Sequence, residues 1–208
     1  MDIQQAYNTW AEQYDSNQNK TRDLEKNALQ ATLANFSFEK CLEMGCGTGK
    51  NTAWLSSVAK HVVAIDFSEE MLKKARQSSM AKNVVFQQAD ISKDWDFISE
   101  LFDLVSFSLV LEHFEDLNII FQKAAKVLAP NGFLYVGELH PFKQYTGSTA
   151  RFDTPEGRQI LTCFTHHISD FVSTAQSNGL LLVKLNEYFD DNDSNQIPRI
   201  LTLVFRKD

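Results

Sequence analysis

The sequence predicts an α/β fold, a doubly wound and mostly parallel sheet of seven strands that ends in an antiparallel hairpin. Three observations carry this. From about residue 40 to residue 140, apolar runs of strand length alternate with amphipathic stretches of helical period. Such alternation lays parallel strands side by side and puts helices on both faces. The first strand–helix junction, Cys41-Leu42-Glu43-Met44-Gly45-Cys46-Gly47-Thr48-Gly49-Lys50, is rich in glycine. The tail holds two further strand-like runs with no helical pattern between them, so they pair as a hairpin.

Taken in order, strands are expected at 40–44, 62–65, 84–87, 101–107 and 132–138, with helices at 51–60, 68–77 and 116–128 between them. Ser68, followed by Glu69 and Glu70, supplies an N-cap and acidic residues at the positive end of the second of these helices. Pro130-Asn131-Gly132 is expected to stop the third helix before the fifth strand. A helix at 168–176 precedes the hairpin strands 180–187 and 199–206, and the polar connection 190–198 is expected to hold no helix. No repeat, low-complexity tract or long linker divides the 208 residues, so one domain is expected.

With 43% hydrophobic and 23% charged residues, the composition is that of an ordinary soluble globular protein. A formal net charge of −7 gives no footprint for nucleic acid. It slightly favours a cationic or neutral small molecule. The cluster Lys73-Lys74-Ala75-Arg76 falls on an expected helix among acids and reads as a solvated face. The N-terminal residues lack the pattern of a signal peptide, and no apolar run approaches the roughly 18 residues of a membrane span. Cys41, Cys46 and Cys163 are odd in number and show no metal-ligand spacing, which suits a reducing cytoplasm.

The glycine turn leaves the backbone bare for a ligand to approach closely. Gly45, Gly47 and Gly49 form GxGxG, with Lys50 where a dinucleotide-binding GxGxxG would have its third glycine. Glu43, two residues ahead, is awkward for a pyrophosphate and natural for a cation. Val62-Val63-Ala64-Ile65-Asp66 ends in a carboxylate twenty-one residues past Gly45, placed to accept two ribose hydroxyls. Val84-Val85-Phe86-Gln87-Gln88-Ala89-Asp90-Ile91 repeats the arrangement, and Phe102 to Phe114 supplies a fourth strand segment.

Together these segments resemble the motifs of the class I S-adenosylmethionine-dependent methyltransferases, whose first motif is (D/E)xGxGxG, over about residues 39–140. The resemblance implies a Rossmann-like methyltransferase fold. It also implies that Asp90 meets the adenine amino group, that Ile91, Phe67 and Met71 sandwich the base, and that Ser108 offers its carbonyl to the cofactor's ammonium. Phe67 and Met71 could equally be core. The segment Tyr7 to Asp15 resembles the "YD" lid of small-molecule methyltransferases, in which Tyr14 caps the sulfonium and Arg22 pairs with the cofactor carboxylate. A surface helix with a Trp10–Tyr14 contact is the alternative for that segment. On this resemblance residues 1–30 form a helical lid, 39–140 the cofactor-binding core, and 141–208 a substrate-side loop, helix and hairpin.

The implied reaction is in-line displacement that moves the methyl group of S-adenosylmethionine to a small-molecule acceptor and releases S-adenosylhomocysteine. A catalytically silent cofactor-binding or partner protein of the same fold is the alternative. The fourth strand ends in Phe107-Ser108-Leu109-Val110 and not the (D/N)PP(Y/F) of enzymes that methylate base amino groups. Glu138 and His140 after the fifth strand, and His166 further on, are the candidates for a base or substrate clamp. His166 and His167, if helical, point different ways, so one at most enters the site. Arg151 could hold an acceptor's carboxylate or phosphate, or lie in solvent. No metal is expected, since Glu138, His140 and His166 have no ligand spacing.

Overall fold

In the computed structural model, which describes residues 3–14, 19–154 and 157–208, side-chain alternation along the strands sorts the core into two faces. The elements are α1 (Ile3–Tyr14), α2 (Lys20–Leu33), β1 (Lys40–Met44), α3 (Thr52–Val58), β2 (His61–Asp66), α4 (Glu69–Ser78), β3 (Val84–Gln88) and β4 (Phe102–Ser108). They continue with α5 (Leu117–Val127), β5 (Leu128–Leu139), α6 (Pro141–Tyr145), β6 (Arg151–Thr154), β7 (Gly157–Ile160), α7 (Ile168–Ser177), β8 (Leu180–Tyr188) and β9 (Ile200–Lys207).

Leu42, Met44, Val63, Ile65, Val105, Phe107, Leu134 and Val136 share one cluster with Phe121 and Ala124 of α5 and Phe171 and Ala175 of α7. Cys41, Val62, Leu104 and Tyr135, one residue out of step on the same strands, join Leu29 and Leu33 of α2 and Leu55 of α3 on the opposite side. The result is a helix–sheet–helix sandwich.

The sheet runs β3-β2-β1-β4-β5-β9-β8, parallel through β5, with β9 antiparallel to both neighbours. This is the expected seven-stranded sheet with its terminal hairpin. Four details differ from expectation. First, β5 begins at Leu128 directly after α5, so Pro130-Asn131-Gly132 lies inside the strand and does not separate helix from strand. Leu128 is fully buried opposite Phe102, and burying it extends the chain at once. Asn131 then turns left-handed (φ 62°) and the pairing slips between Phe102 and Leu104. Second, the connection read as free of helix is not plain coil but holds a tight turn at Asp190–Asn192, with Asp191 and Asn192 left-handed at φ 53° and 57°. Third, α6 and the β6–β7 hairpin occupy a stretch read as loop. Fourth, His166 precedes α7 and His167 is its N-cap, so the two do not share a helix.

The Lys73–Arg76 face of α4 is solvated and paired with acids, Lys73 with Glu70 and Arg76 with Glu69. Among the described residues no helix is long and apolar enough to cross a membrane, and no group of three His, Cys, Asp or Glu could hold a metal ion.

Candidate active site

The strand order reverses between β1 and β4, and in open α/β sheets the crevice outside the strands' carboxyl ends at such a point receives ligands. Here that crevice begins with the glycine turn. Gly45, Gly47 and Gly49 all have positive φ, at 76°, 53° and 83°. The amides of Gly45 and Cys46 both donate to Ile65 O, at 2.8 and 2.9 Å, which ties the turn across to β2. A Cβ on Gly45 would lie 2.3 Å from Val110 Cγ2, so the turn packs against the end of β4 only because no side chain is there.

Asp66 closes β2 and joins two loops. Its Oδ2 accepts from Gly47 N and its Oδ1 from Ser68 N, each at 2.8 Å. Burial pushes its carboxyl up to about 6, against the pull of these amides. Asp66 lines a cavity of about 350 Å³. Around it stand Gly45, Gly47, Phe67, Met71, Asp90, Ile91, Ser108, Leu109, Val110, His113 and Tyr14. The adenine-side residues expected from sequence thus come together on one wall. Asp90 also caps its own turn, accepting from Ser92 N at 2.9 Å.

Helix α1 roofs this cavity. Gln4 Nε2 donates to Phe67 O at 2.6 Å, and Ser68 Oγ donates to Asn8 Oδ1 at 2.6 Å. The Tyr7 ring sits between Phe67 and His113, with centroids 5.9 and 5.6 Å away. Its hydroxyl lies 2.8 Å from His113 Nε2, and His113 Nδ1 donates to Thr162 O at 3.3 Å. Burial lowers the His113 pKa, which favours a neutral ring whose Nε2 accepts from Tyr7. Asp15, the acid of the "YD" pair, lies outside the described residues.

At the far rim, Leu109 adopts φ 57°, a conformation uncommon for a side chain of its size. Glu138 holds this turn. Its Oε1 accepts from Val110 N at 2.9 Å and Leu111 N at 2.8 Å, capping the 3₁₀ turn Leu111–His113. That turn then sends His113 to one cavity and Glu112 to a second. The second cavity, about 340 Å³, shares Tyr7, Tyr14 and Leu109 with the first and is further lined by Lys20, Arg22, Arg151 and Arg199.

Several sequence-predicted residues stand elsewhere. Glu43 is buried behind the glycine turn, where its Oε2 accepts from Thr52 Oγ1. Burial pushes it up to about 8, with Glu25 and Asp66 adding repulsion, so it holds its proton at neutral pH and lines neither cavity. Gly49 packs toward Ala75, whose Cβ an added methyl would meet at 3.2 Å. Arg22 belongs to the second cavity, with its guanidinium 3.9 Å from the Tyr14 ring centre.

The expected bases do not reach the crevice. His140 is fully buried, with Nε2 on Glu187 Oε1 at 2.9 Å and Nδ1 accepting from Phe142 N at 3.2 Å, so both ring nitrogens are engaged. His166 Nε2 donates to Phe114 O at 2.8 Å. Glu138 spends one oxygen on the Val110–Leu111 turn, and burial, then repulsion from Glu112, lifts it to about 8. None of the three lines either cavity. Tyr7 and Glu112, which do, lie in the lid and fourth-strand segments that the sequence singled out, but neither was given a role of its own there.

Residues 42–136 match the family model described as "Methyltransferase domain". Over those residues the chain carries a methyltransferase domain, and its fold is that of the class I S-adenosylmethionine-dependent methyltransferases. An uncharacterized methyltransferase of Emericella nidulans is 26% identical over 88% of this chain and 77% of its own length. The malonyl-[acyl-carrier protein] O-methyltransferase of Bacillus anthracis is 28% identical over 64% of this chain, which spans 50% of that protein. Among solved structures, the DhpI–SAM–HEP complex superposes with a TM-score of 0.78 at 21% identity, covering 97% of this chain and 94% of that one. The Bradyrhizobium japonicum N-methyltransferase NodS bound to S-adenosyl-L-homocysteine gives 0.72 at 20% identity, with 99% of each chain covered. At such identities the methyltransferase likeness is one of fold.

Proposed function

We propose that this methyltransferase transfers the methyl group of S-adenosylmethionine to a small-molecule acceptor. The observation that carries the reading is Asp66, a buried carboxylate fixed by two backbone amides and lining the cavity at the switch point. The residues around it fit the donor. Asp66 suits the ribose hydroxyls, Asp90 the adenine amino group, and Phe67, Met71 and Ile91 the flat faces of the base. Gly45 and Gly47 leave main chain bare for the amino-acid end, near Ser108 and Tyr14. When bound, the donor supplies an already activated methyl group and leaves as a neutral thioether.

The chain's own work is then alignment and exclusion of water. Tyr7 and Tyr14 stand between the two cavities and Leu109 forms the rim they share, so acceptor and donor meet at that wall. Glu138 keeps the rim in its left-handed turn. His140 and His166 hold the structure around it and leave proton transfer to groups on the cavity walls. An acidic chain with no base-methylating motif supports a small acceptor over nucleic acid, and the three free thiols suit a cytoplasmic setting.

Incubation of the purified protein with S-adenosylmethionine and a panel of small metabolites should release S-adenosylhomocysteine with at least one of them. A protein that binds the donor and never consumes it would be a silent binding module, contrary to the proposal.

A further inference from the structure

The second cavity carries a charge pattern opposite to that of the whole chain. Net charge is −7, yet Lys20, Arg22, Arg151 and Arg199 line this one chamber, with Glu112 the sole carboxylate among the described residues that line it. Arg199 is already committed. It makes a bidentate pair with Asp190, at 2.5 and 2.6 Å, and donates to Thr21 Oγ1 at 3.2 Å, so it braces the wall. Lys20 and Arg151 are different, for among the described residues no acid pairs with either. They approach from two elements, the first turn of α2 and strand β6. Asn19, Lys20, Thr21 and Arg22 all border the cavity, and since Asn19 Oδ1 already takes the Thr21 and Arg22 amides, the start of α2 contributes its side chains.

The counterpart is Glu112. It is 7% exposed, and burial lifts its carboxyl to about 7 against hydrogen bonds from Cys163 and Gln144. Glu112 also stands on the partition, on the 3₁₀ turn whose next residue, His113, lines the donor cavity. The chamber's volume of about 340 Å³ suits a small metabolite.

We propose that this chamber holds the methyl acceptor and that the acceptor is a small acid: its carboxylate or phosphate-type group lies against Arg151 and Lys20, and the rest of it reaches the partition that carries Glu112. The proposal rests on the methyl-transfer reading and names the substrate class of that same site. It replaces the expectation, drawn from net charge, of a cationic or neutral acceptor, because a total charge says nothing of how charges are distributed around one cavity.

The test is calorimetric titration of the protein, first with S-adenosylhomocysteine and then, once loaded, with inorganic phosphate, glycolate and choline. Phosphate or glycolate should bind and weaken as salt rises, and choline should not. Arg151→Gln should lower the anion affinity about tenfold, the loss of one charge-assisted contact, with the affinity for S-adenosylhomocysteine unchanged. A loaded protein that takes neither anion, that prefers choline, or whose anion affinity ignores Arg151→Gln overturns the acid-binding chamber alone. A protein that takes neither S-adenosylhomocysteine nor the anions overturns the methyl-transfer reading beneath it as well.

Discussion

Replacing Asp66 with alanine should lower the affinity for S-adenosylmethionine by a hundredfold or more. The carboxylate offers its remaining lone pairs to two ribose hydroxyls, and a hydrogen bond to a charged group contributes roughly 1.5–3 kcal/mol. Two such bonds amount to on the order of 3–6 kcal/mol, where each 1.4 kcal/mol is tenfold. The same side chain braces Gly47 N and Ser68 N, so the variant also loosens the turn that the donor's amino-acid end rests on. Circular dichroism should nevertheless show a folded protein, since Gly47 lines the cavity and water there can replace the lost partner of its amide.

Asp66→Asn loses the charge and one of the two amide contacts, because Gly47 N and Ser68 N sit on different oxygens and asparagine has only one. Since burial sets the carboxyl near 6, wild-type affinity should hold above that pH and fall as pH drops through it, up to about tenfold per pH unit. Calorimetry across pH 5 to 8 measures both effects. An Asp66→Ala protein with unaltered affinity refutes the ribose assignment.

Gly45→Ala should be the most damaging change in the glycine turn. The new methyl would lie 2.3 Å from Val110 Cγ2, and the backbone there has φ 76°. Val110 cannot simply retreat, because Glu138 Oε1 holds its amide at 2.9 Å. Left-handed backbone costs a residue with a Cβ roughly 1–2 kcal/mol, and overpacking typically adds 1–3 kcal/mol. Together these predict a loss on the order of 2–5 kcal/mol in denaturant unfolding, with donor binding abolished. Adding Val110→Ala should return the part due to the clash and leave the part due to φ. Wild-type stability in Gly45→Ala would show that the turn and the end of β4 are not in this contact.

What the sequence made legible was local. The strand runs, the three glycines, and the carboxylates ending β2 and following β3 are patterns contained in a few residues each, and their side chains point where the pleat and the turn send them. What stayed hidden depended on distant partners. Glu138 reads as a crevice acid, yet its oxygen meets amides 27 and 28 residues away in the chain. His140 and His166 read as bases, but Glu187 and Phe114 occupy their nitrogens across 47 and 52 residues. Glu43 carries the expected motif carboxyl, and only the packed structure reveals that burial leaves it protonated behind the turn.

The β5 start was misread for a related reason. Pro130-Asn131-Gly132 is a sound breaker, but burying Leu128 against β4 begins the strand ahead of it. The cationic second cavity gathers its charges from α2, β6 and the residue before β9, which no composition or spacing rule connects.

The most direct test is a crystal structure of this protein with S-adenosylhomocysteine. The account predicts nucleoside density across the carboxyl ends of β1, β2 and β4, with the ribose hydroxyls within hydrogen-bonding reach of Asp66 and the amino-acid end over Gly45 and Gly47. Density in the Arg151 chamber, at another surface, or with the ribose turned away from Asp66 would contradict it.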